Sequence, residues 1–257
     1  MLGIWKARWR QGYRTMKYPD GPAPELPARF AGRPTVDAKR CAADCRRCAE
    51  ACPTGALTVG GEASRLALDT GRCLFCRECH AACPQQAIAF TREHRMAAAR
   101  REDLIVRDAS GKIPPAFQPK IRAMFGRSLK LREVSAGGCN ACEADTNVLN
   151  TLAWDVGRFG IQFVASPRHA DGLLITGPVP ENMREALRKS YEAVPSPKIV
   201  IAVGSCAVAG GPYADHPEAH NGAAGIVPVD LFVPGCPPHP LTILDGLLRL
   251  VGRVADG

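Results

Sequence analysis

The residues of this chain with the most specific chemistry are its cysteines, which number twelve and fall into three sets of four. Two sets are compact runs that end in Cys-Pro, namely Cys41, Cys45, Cys48, Cys52 and Cys73, Cys76, Cys79, Cys83. The third set is spread over about a hundred residues and consists of Cys139, Cys142, Cys206 and Cys236. One 4Fe-4S cluster is held by four thiolates, so three clusters would use every cysteine. The sequence therefore predicts a protein that carries electrons.

The two compact runs are the halves of an internal repeat with a period of thirty-one residues. The repeated positions are Cys45, Cys48, Cys52, Pro53, Ala56 and Leu57, which correspond to Cys76, Cys79, Cys83, Pro84, Ala87 and Ile88. Only the first cysteine departs from the period, because Cys41 lies four residues before Cys45 and Cys73 lies three before Cys76. The repeat predicts two similar half-units related by a pseudo-twofold axis. Each half-unit has a ligand loop, a short helix and an apolar strand, at 57–59 and at 88–90.

Other uses of the cysteines compete with the clusters. A disulfide framework is typical of secreted chains, but the first ten residues carry scattered charges and no apolar segment, so no export signal is expected. Residues 76–80 also fit the Cys-x-x-Cys-His pattern of covalent haem attachment, although the repeat already accounts for both cysteines. Cys139 and Cys142 alone would suit half of a zinc site. We expect iron–sulfur ligation in a reducing cytoplasm.

The elements that must position the third set alternate between strands and helices from residue 129 onward. Strands are predicted at 129–134, 161–164, 172–176, 198–203 and 229–233, and helices at 142–157, 181–193 and 241–251. Such alternation is typical of a parallel α/β sheet covered by helices. Cys139 follows the first strand, and Cys206 and Cys236 each come three residues after a strand. Because sites in open α/β sheets lie beyond the carboxyl ends of the strands, these cysteines are expected to meet at one sheet edge.

The segments outside these two regions are basic and rich in proline. Residues 1–34 form an arm whose first dozen residues, with Trp5 and Trp9, suit either an interfacial helix on a membrane or a segment that packs on a partner protein. The prolines that follow make an extended strap and favour the partner. Residues 93–127 are predicted to be a linker. The net charge of +8 suits nucleic acid, acidic lipid or an acidic partner, but no nucleic-acid motif, nucleotide-binding loop or membrane-spanning run occurs.

Residues 41–90 resemble bacterial-type ferredoxin domains with two 4Fe-4S clusters. In that family the fourth cysteine of each run ligates the other cluster. The resemblance therefore implies one cluster on Cys41, Cys45, Cys48 and Cys83, and a second on Cys73, Cys76, Cys79 and Cys52. It also implies an α+β, ferredoxin-like domain at 35–92.

Residues 129–251 resemble the complex I subunit that carries the cluster nearest the active site, and also the small subunit of NiFe hydrogenases. The resemblance rests on the segments 138–143, 204–207 with 210–211, and 229–238. Complex I subunits of this family have adjacent cysteines in the first segment, whereas hydrogenases have Cys-x-x-Cys, as in this chain. The resemblance implies a flavodoxin-like parallel sheet domain at 128–257 that holds a third 4Fe-4S cluster on Cys139, Cys142, Cys206 and Cys236.

Together the two resemblances describe the small subunit of a membrane-bound, complex I-related NiFe hydrogenase fused to its ferredoxin subunit. They imply an oxidoreductase subunit that relays electrons between a low-potential donor, such as a soluble ferredoxin or formate dehydrogenase, and a NiFe centre on a partner large subunit. Membrane-arm subunits are the other implied partners, and the location is peripheral, on the cytoplasmic side of the cell membrane. Glu143 and Asp145 are candidate proton-relay residues, although acidic residues in a first helical turn are also favoured by the helix dipole alone.

Two other functions stay open. The chain would also suit a complex I-like, quinone-reducing complex or a hydrogenase-related complex without nickel. A free carrier of the polyferredoxin type is the third interpretation. The α/β domain argues against the free carrier, because cysteines gathered at one sheet edge indicate that this edge faces a partner.

Overall fold

Short apolar runs, separated by cysteine loops, glycines and prolines, form the strands in the computed structural model, which describes residues 2–12, 14–42, 44–60, 65–116 and 118–255. The strands are β1 (Pro34–Val36), β2 (Leu57–Val59), β3 (Leu66–Asp69), β4 (Ile88–Phe90), β5 (Ile105–Val106), β6 (Leu129–Ser135), β7 (Ile161–Phe163), β8 (Gly172–Thr176), β9 (Ile199–Val203) and β10 (Leu231–Val233). The helices are α1 (Leu2–Gln11), α2 (Arg47–Glu50), α3 (Glu78–Ala81), α4 (Pro119–Phe125), α5 (Ala141–Val148), α6 (Glu181–Ala193), α7 (Ser205–Ala209) and α8 (Pro240–Leu250). Met1 and Tyr13 of the predicted arm and Phe117 of the predicted linker lie outside the described residues.

The predicted repeat is visible in the elements of the N-terminal half. Helix α2 and strand β2 recur thirty-one positions later as α3 and β4. Strand β4 pairs antiparallel with β1, while β2 pairs with β3, which in turn pairs with β5. Both half-units contribute to one apolar core, in which Leu57 and Ile88 pack with Cys48, Cys73 and Cys79. Helices of four residues are not stable alone, so this core and the cysteine loops must hold them.

The C-terminal half is a five-stranded sheet in the order β10-β9-β8-β6-β7, with every pair parallel. Counted along the chain, the first of these strands lies between the second and the third, which is the order of flavodoxin-like folds. The predicted fold class is confirmed. The strand order reverses between β6 and β8, and ligands in such sheets bind at this switch point, beyond the carboxyl ends.

Side chains along β6 point alternately to the two faces of the sheet and contribute to an apolar core on each face. Leu129 and Leu131 contribute to the core that contains the leucines of α8, and Val134 contributes to a second core with Leu187 of α6. All eleven residues of α8 are buried. Because each fully buried leucine contributes about 1.5–3 kcal/mol, α8 is the main apolar anchor of this domain.

The prediction of a helix at 142–157 is wrong for the second half of that range. Helix α5 ends at Val148, and a short 3-10 turn at Val156–Phe159 follows. Asp155, which precedes that turn, has a left-handed φ of 44°. A continuous right-handed helix does not contain such a residue, so the chain turns before it reaches β7.

The arm and the segment 93–127 pack against the C-terminal half. Ala98 forms a two-way backbone bridge with Phe232 of β10. In the arm, the backbone N–H of Met16 donates to the Ala153 carbonyl, and Arg158 donates to the carbonyls of Met16 and Tyr18. No helix within the described ranges combines the length and the apolarity needed to cross a bilayer.

A buried ionic network ties these segments to α8. Arg249 and Asp245 are both fully buried and form an ion pair with a separation of 2.8 Å. Arg249 also donates to the carbonyls of Pro114 and Ala97, and the Tyr18 hydroxyl donates to Asp245 at 2.8 Å. One helix therefore fixes the arm through Tyr18 and the segment 93–127 through two carbonyls.

Candidate metal centres

The first group of thiols combines three cysteines of one run with the last cysteine of the other. Burial raises the pKa of Cys48, and so do, in decreasing order, the nearby thiols of Cys83, Cys41 and Cys45. The same four side chains line one open cavity of about 570 Å³. The helix α2 presents Cys48, and the loop before α2 presents Cys41 and Cys45. This is the set that the ferredoxin resemblance implies.

The second group combines the other three cysteines with Cys52. Burial raises the pKa of Cys73 to about 12, and the thiols of Cys79, Cys52 and Cys76 contribute to the increase. The pKa of Cys79 is raised to about 12 by burial, then by Cys52 and Cys76. Thiols whose charged form is disfavoured in this way are protonated without a metal, and binding iron to them would release those protons.

Backbone amides point at the sulfurs of both groups. The N–H of Ala56 donates to Cys52 Sγ at 3.2 Å, and the N–H of Ala87 donates to Cys83 Sγ at the same distance. These pairs are equivalent positions of the repeat. The N–H of Phe75 donates to Cys73 Sγ, also at 3.2 Å. Amide donors to cysteine sulfur are one means by which a protein sets the potential of a cluster.

The third group lies at the carboxyl edge of the parallel sheet. Cys139 follows β6, Cys206 lies in α7 directly after β9, and Cys236 follows β10, while Cys142 lies in the first turn of α5. Burial raises the pKa of Cys142, as do the thiols of Cys206, Cys236 and Cys139. Burial and then Cys236 and Cys139 raise the pKa of Cys206 to about 11. The sheet thus brings together four cysteines that are far apart in sequence.

Two glycines make room beside this third group. A Cβ at Gly204, where φ is +90°, would collide with Cys142 Sγ, and a Cβ at Gly211 would lie 2.7 Å from Cys206 Sγ. Only glycine avoids both contacts, so the backbone wraps closely around the sulfurs. Among the described residues, no three His, Cys, Asp or Glu side chains converge tightly enough to share a single metal ion. A cubane has one iron atom for each thiolate and does not need its ligands to converge on one point.

The second group lies next to both of the others. The pKa of Cys79 in the second group is raised by Cys48 of the first, after the larger effects of burial, Cys52 and Cys76. The pKa of Cys236 in the third group is raised by burial, then by Cys139, then by Cys76 of the second. Between the second and third groups, the buried Ser205 hydroxyl donates to the Cys73 carbonyl at 2.6 Å. In the third group Cys139 and Cys236 are exposed, and so is Cys76 of the second group.

His80, the histidine of the haem-attachment pattern, has its own partner. Its Nδ1 lies 2.6 Å from the Ile88 carbonyl, at the start of β4. Cys76 and Cys79 of the same pattern both lie in the second thiol group, as described above. Residues 76–80 therefore belong to the repeat, with both cysteines in the second thiol group and the histidine bonded to the backbone.

Glu143 and Asp145 have different surroundings although both lie in α5. Burial alone would raise the pKa of Glu143, but hydrogen bonds from the hydroxyls of Ser135 and Thr176, each 2.6 Å long, outweigh it and lower that pKa. Glu143 is thereby fixed to the ends of β6 and β8. Burial raises the pKa of Asp145, which lines an open cavity of about 480 Å³ together with Cys236 and His239.

Sequence reasoning missed Glu133, a carboxyl on the same side of β6 as Leu129 and Leu131. Its Oε1 is buried and has no hydrogen-bond partner among the described residues. Burial and then the Glu143 carboxylate raise the pKa of Glu133 to about 7. A charged residue in phase with inward-facing leucines was the available signal.

Replacing Glu133 with glutamine is expected to stabilise the protein above neutral pH. The pKa of Glu133 rises from 4.5 in the unfolded state to about 7 in the folded state. The folded state therefore binds the proton more tightly. The stability that this proton confers is complete below pH 4.5 and is lost as the pH rises to 7. At pH 8 the variant should gain up to about 3 kcal/mol over the parent, and at pH 4.5 almost nothing.

The measurement is the unfolding temperature of both proteins at the two pH values, with unfolding monitored by circular dichroism in the absence of oxygen. Glu185→Gln, which changes an exposed carboxylate on α6, is the control and should show no such pH dependence. A stabilisation by Glu133→Gln that is equal at both pH values would contradict the assignment.

Comparison with known proteins finds matches for both halves of the chain. Residues 139–250 match the family described as the 20 Kd subunit of NADH ubiquinone oxidoreductase, and residues 40–87 match a 4Fe-4S dicluster domain. The chain is 43% identical over 131 residues to a probable membrane-bound hydrogenase subunit, mbhJ, of Pyrococcus furiosus, which covers 51% of this chain and 78% of that one. It is 39% identical over 154 residues to formate hydrogenlyase subunit 7 of Escherichia coli, covering 57% of this chain and 60% of that one.

A third relative is a NADH-quinone oxidoreductase subunit of Heliobacterium modesticaldum, with 40% identity over 122 residues, 47% of this chain and 70% of that one. These relatives are thus subunits of hydrogenase, hydrogenlyase and quinone oxidoreductase complexes. Their names and the matched domains agree with the oxidoreductase and iron–sulfur character predicted from the cysteines. The chain belongs to the family of the 20 kD subunit of NADH ubiquinone oxidoreductase, joined here to a 4Fe-4S dicluster domain, and is an iron–sulfur electron-transfer subunit of the oxidoreductase class.

Proposed function

We propose that this chain is the electron-relay subunit of a complex I-related NiFe hydrogenase and holds three 4Fe-4S clusters. The ligands would be the three groups described above, with Cys52 and Cys83 exchanged between the two compact runs. Bound there, 4Fe-4S clusters supply one-electron transfer at potentials between roughly −700 and +450 mV. The NiFe centre is proposed for a partner large subunit, where hydrogen would be formed or oxidised.

The observation that carries the proposal is that three thiol groups are adjacent, with the second next to both of the others. The first group lines a cavity open to solvent. In the third group Cys139 and Cys236 are exposed. A relay needs accessible sites for its donor and its acceptor, with neighbouring sites between them, and this arrangement supports that role.

The residues of this chain have separable roles in the proposal. The cysteines hold the clusters, Gly204 and Gly211 keep the third site open, and the amides at Cys52 and Cys83 tune the first two. Asp145, at the cavity beside Cys236, is the proposed proton carrier toward the partner. Glu143, fixed by two hydroxyls, is proposed to orient α5 and with it Cys142.

The partners follow from the same proposal. The large subunit would cover the edge with Cys139 and Cys236, a low-potential donor such as a soluble ferredoxin or a formate dehydrogenase would meet the first group, and membrane-arm subunits would complete the assembly. We place the complex on the cytoplasmic side of the cell membrane. The relatives named for a membrane-bound hydrogenase and a formate hydrogenlyase support this interpretation.

A quinone-reducing, complex I-like complex is the second candidate. The similarity to the NADH-quinone oxidoreductase subunit of Heliobacterium modesticaldum favours it. The Cys-x-x-Cys spacing of Cys139 and Cys142 favours the hydrogenase, as argued from the sequence.

The deciding experiment counts metals in the complex captured, without oxygen, on the tagged chain. The hydrogenase proposal expects about one nickel and iron in excess of the ~12 atoms of three cubanes. Full iron without nickel would overturn the hydrogenase and support the quinone-reducing complex. Zinc in place of iron would overturn the electron relay itself.

A further inference from the structure

The N-terminal helix α1 carries an apolar stripe that is exposed to solvent. None of its ten residues is buried. Leu2, Trp5 and Trp9 follow one another at intervals of three and four, so they lie on one side of the helix. Their side chains are 88%, 74% and 86% exposed.

The charges of α1 are of one sign. Lys6, Arg8 and Arg10 lie in the helix and flank the stripe, and no acidic residue occurs before Asp20. Arg14 and Lys17 follow in the same segment, which makes five basic residues and no acidic one over 2–17. Nothing in this segment neutralises the positive charge.

The helix α6 is a useful contrast within the same protein. It also has a polar outer surface, but its Leu187 is fully buried, and it has three acidic and three basic residues that form ion pairs along the helix. α6 is thus a surface helix whose apolar side faces its own domain and whose charges balance. α1 differs in both respects.

The segment from Thr15 to Tyr18, which follows α1, is held by hydrogen bonds. The Thr15 hydroxyl donates to the Leu152 carbonyl at 2.9 Å, and Arg158 holds Met16 and Tyr18 as described above. Leu152 is itself 70% exposed. The chain is therefore attached to the C-terminal half a few residues after α1, at a place where a further apolar side chain is exposed.

We propose that α1 binds the surface of an anionic lipid bilayer and attaches the chain to the membrane directly. Tryptophan and leucine on one side with lysine and arginine around them is the composition of helices that lie in the headgroup region, and tryptophan favours that depth. Ten residues span about 15 Å, half of the hydrocarbon thickness, so the helix lies along the bilayer. The uniform positive charge complements anionic headgroups and selects them over neutral ones.

The inference does not depend on which metal the large subunit holds. It concerns the chain itself, and its test uses the cluster-loaded full chain without partners. A metal count without nickel would overturn the hydrogenase proposal but not lipid binding by α1. Failure of α1 to bind lipid would not affect the hydrogenase proposal.

The first experiment is co-sedimentation without oxygen with vesicles of phosphatidylcholine plus phosphatidylglycerol, and with vesicles of phosphatidylcholine alone. Binding should be at least roughly tenfold stronger to the anionic vesicles and should weaken with added salt. Trp5→Ser with Trp9→Ser should lower the affinity for anionic vesicles by about tenfold or more. Tyr213→Ser, at an aromatic residue that is also exposed but lies elsewhere, should leave binding unchanged.

A charge series separates α1 from general attraction of a basic protein to anionic lipid. Changing Lys6, Arg8 and Arg10 to glutamine should abolish the preference for anionic vesicles. Changing Arg184, Arg188 and Lys189 of α6 to glutamine removes the same charge and should reduce binding far less. Equal losses in the two triple variants would overturn the proposal.

The depth of the helix is the second measurement. Trp154 is the only other tryptophan, so in a Trp154→Phe background the fluorescence reports Trp5 and Trp9 alone. Brominated lipids should quench this fluorescence in anionic vesicles. Absence of quenching, or tryptophan variants that bind vesicles normally yet separate from the complex in detergent, would show a protein interface and overturn the lipid assignment.

Discussion

Replacing Cys52 with alanine is expected to remove the cluster of Cys73, Cys76 and Cys79 and to spare the cluster of its own run. The reason is geometric, because Cys52 lines the same small cavity as Cys73, Cys76 and Cys79. Cys83 instead lines the cavity of Cys41, Cys45 and Cys48. Cys83→Ala should remove the cluster of Cys41, Cys45 and Cys48. Each variant should fall from about 12 to about 8 iron atoms per chain.

Iron content alone does not tell the two variants apart, so the decisive measurement is electron paramagnetic resonance of the reduced protein. The second group lies next to the third, and reduced clusters in both should show magnetic coupling. Cys83→Ala should keep that coupling and Cys52→Ala should lose it.

Matched variants come from within each group. Cys45→Ala should reproduce the spectrum of Cys83→Ala, and Cys76→Ala that of Cys52→Ala. If Cys52→Ala instead resembled Cys45→Ala, each run would hold its own cluster, and the exchanged ligand sets would be wrong.

Replacing Arg249 with methionine should cost about 3–5 kcal/mol, because it leaves the fully buried carboxylate of Asp245 without its cation. The carbonyls of Pro114 and Ala97 would lose a donor as well. For a chain of this size that corresponds to a fall in unfolding temperature of roughly 6–20 °C. The measurement is loss of the circular dichroism signal on heating without oxygen.

Two further variants test the cause. Arg188→Met removes a surface arginine whose nearest carboxylate, on Glu192, is 3.4 Å away, and should change stability by less than about 1 kcal/mol. Adding Asp245→Leu to Arg249→Met removes the orphaned charge and should restore part of the stability. A double variant no more stable than the single one would show that the carboxylate is not the source of the loss.

The cysteines made most of the candidate site predictable. Their repeat gave α2, β2, α3 and β4, because ligand loops impose local structure whatever the surrounding residues are. The third group was predictable because parallel strands deliver their carboxyl ends to one edge. Five strands in a parallel sheet followed from the alternation of strands and helices, whereas the flavodoxin-like architecture was implied only by the family resemblance.

The contacts between distant segments were not predictable. Arg249 has an acidic residue four positions earlier, a pattern that surface helices share. Its other partners lie 135 and 152 residues away in sequence, so nothing local shows that it is buried. The end of α5 at Val148, before the predicted end at 157, was unpredictable for the same reason. The turn at Asp155 depends on where β7 begins, which local sequence does not show.

The Ser205 hydroxyl, which binds the Cys73 carbonyl inside the protein, has a kinetic consequence. It joins the loop of the second thiol group to the helix that carries Cys206 of the third. Where the two domains are separate proteins, electron transfer between the second and third sites depends on how fully the two proteins are associated. Within one chain the step is unimolecular and does not change on dilution. If both groups hold clusters as proposed, electron exchange between them would therefore keep the same rate when the chain separates from its partners.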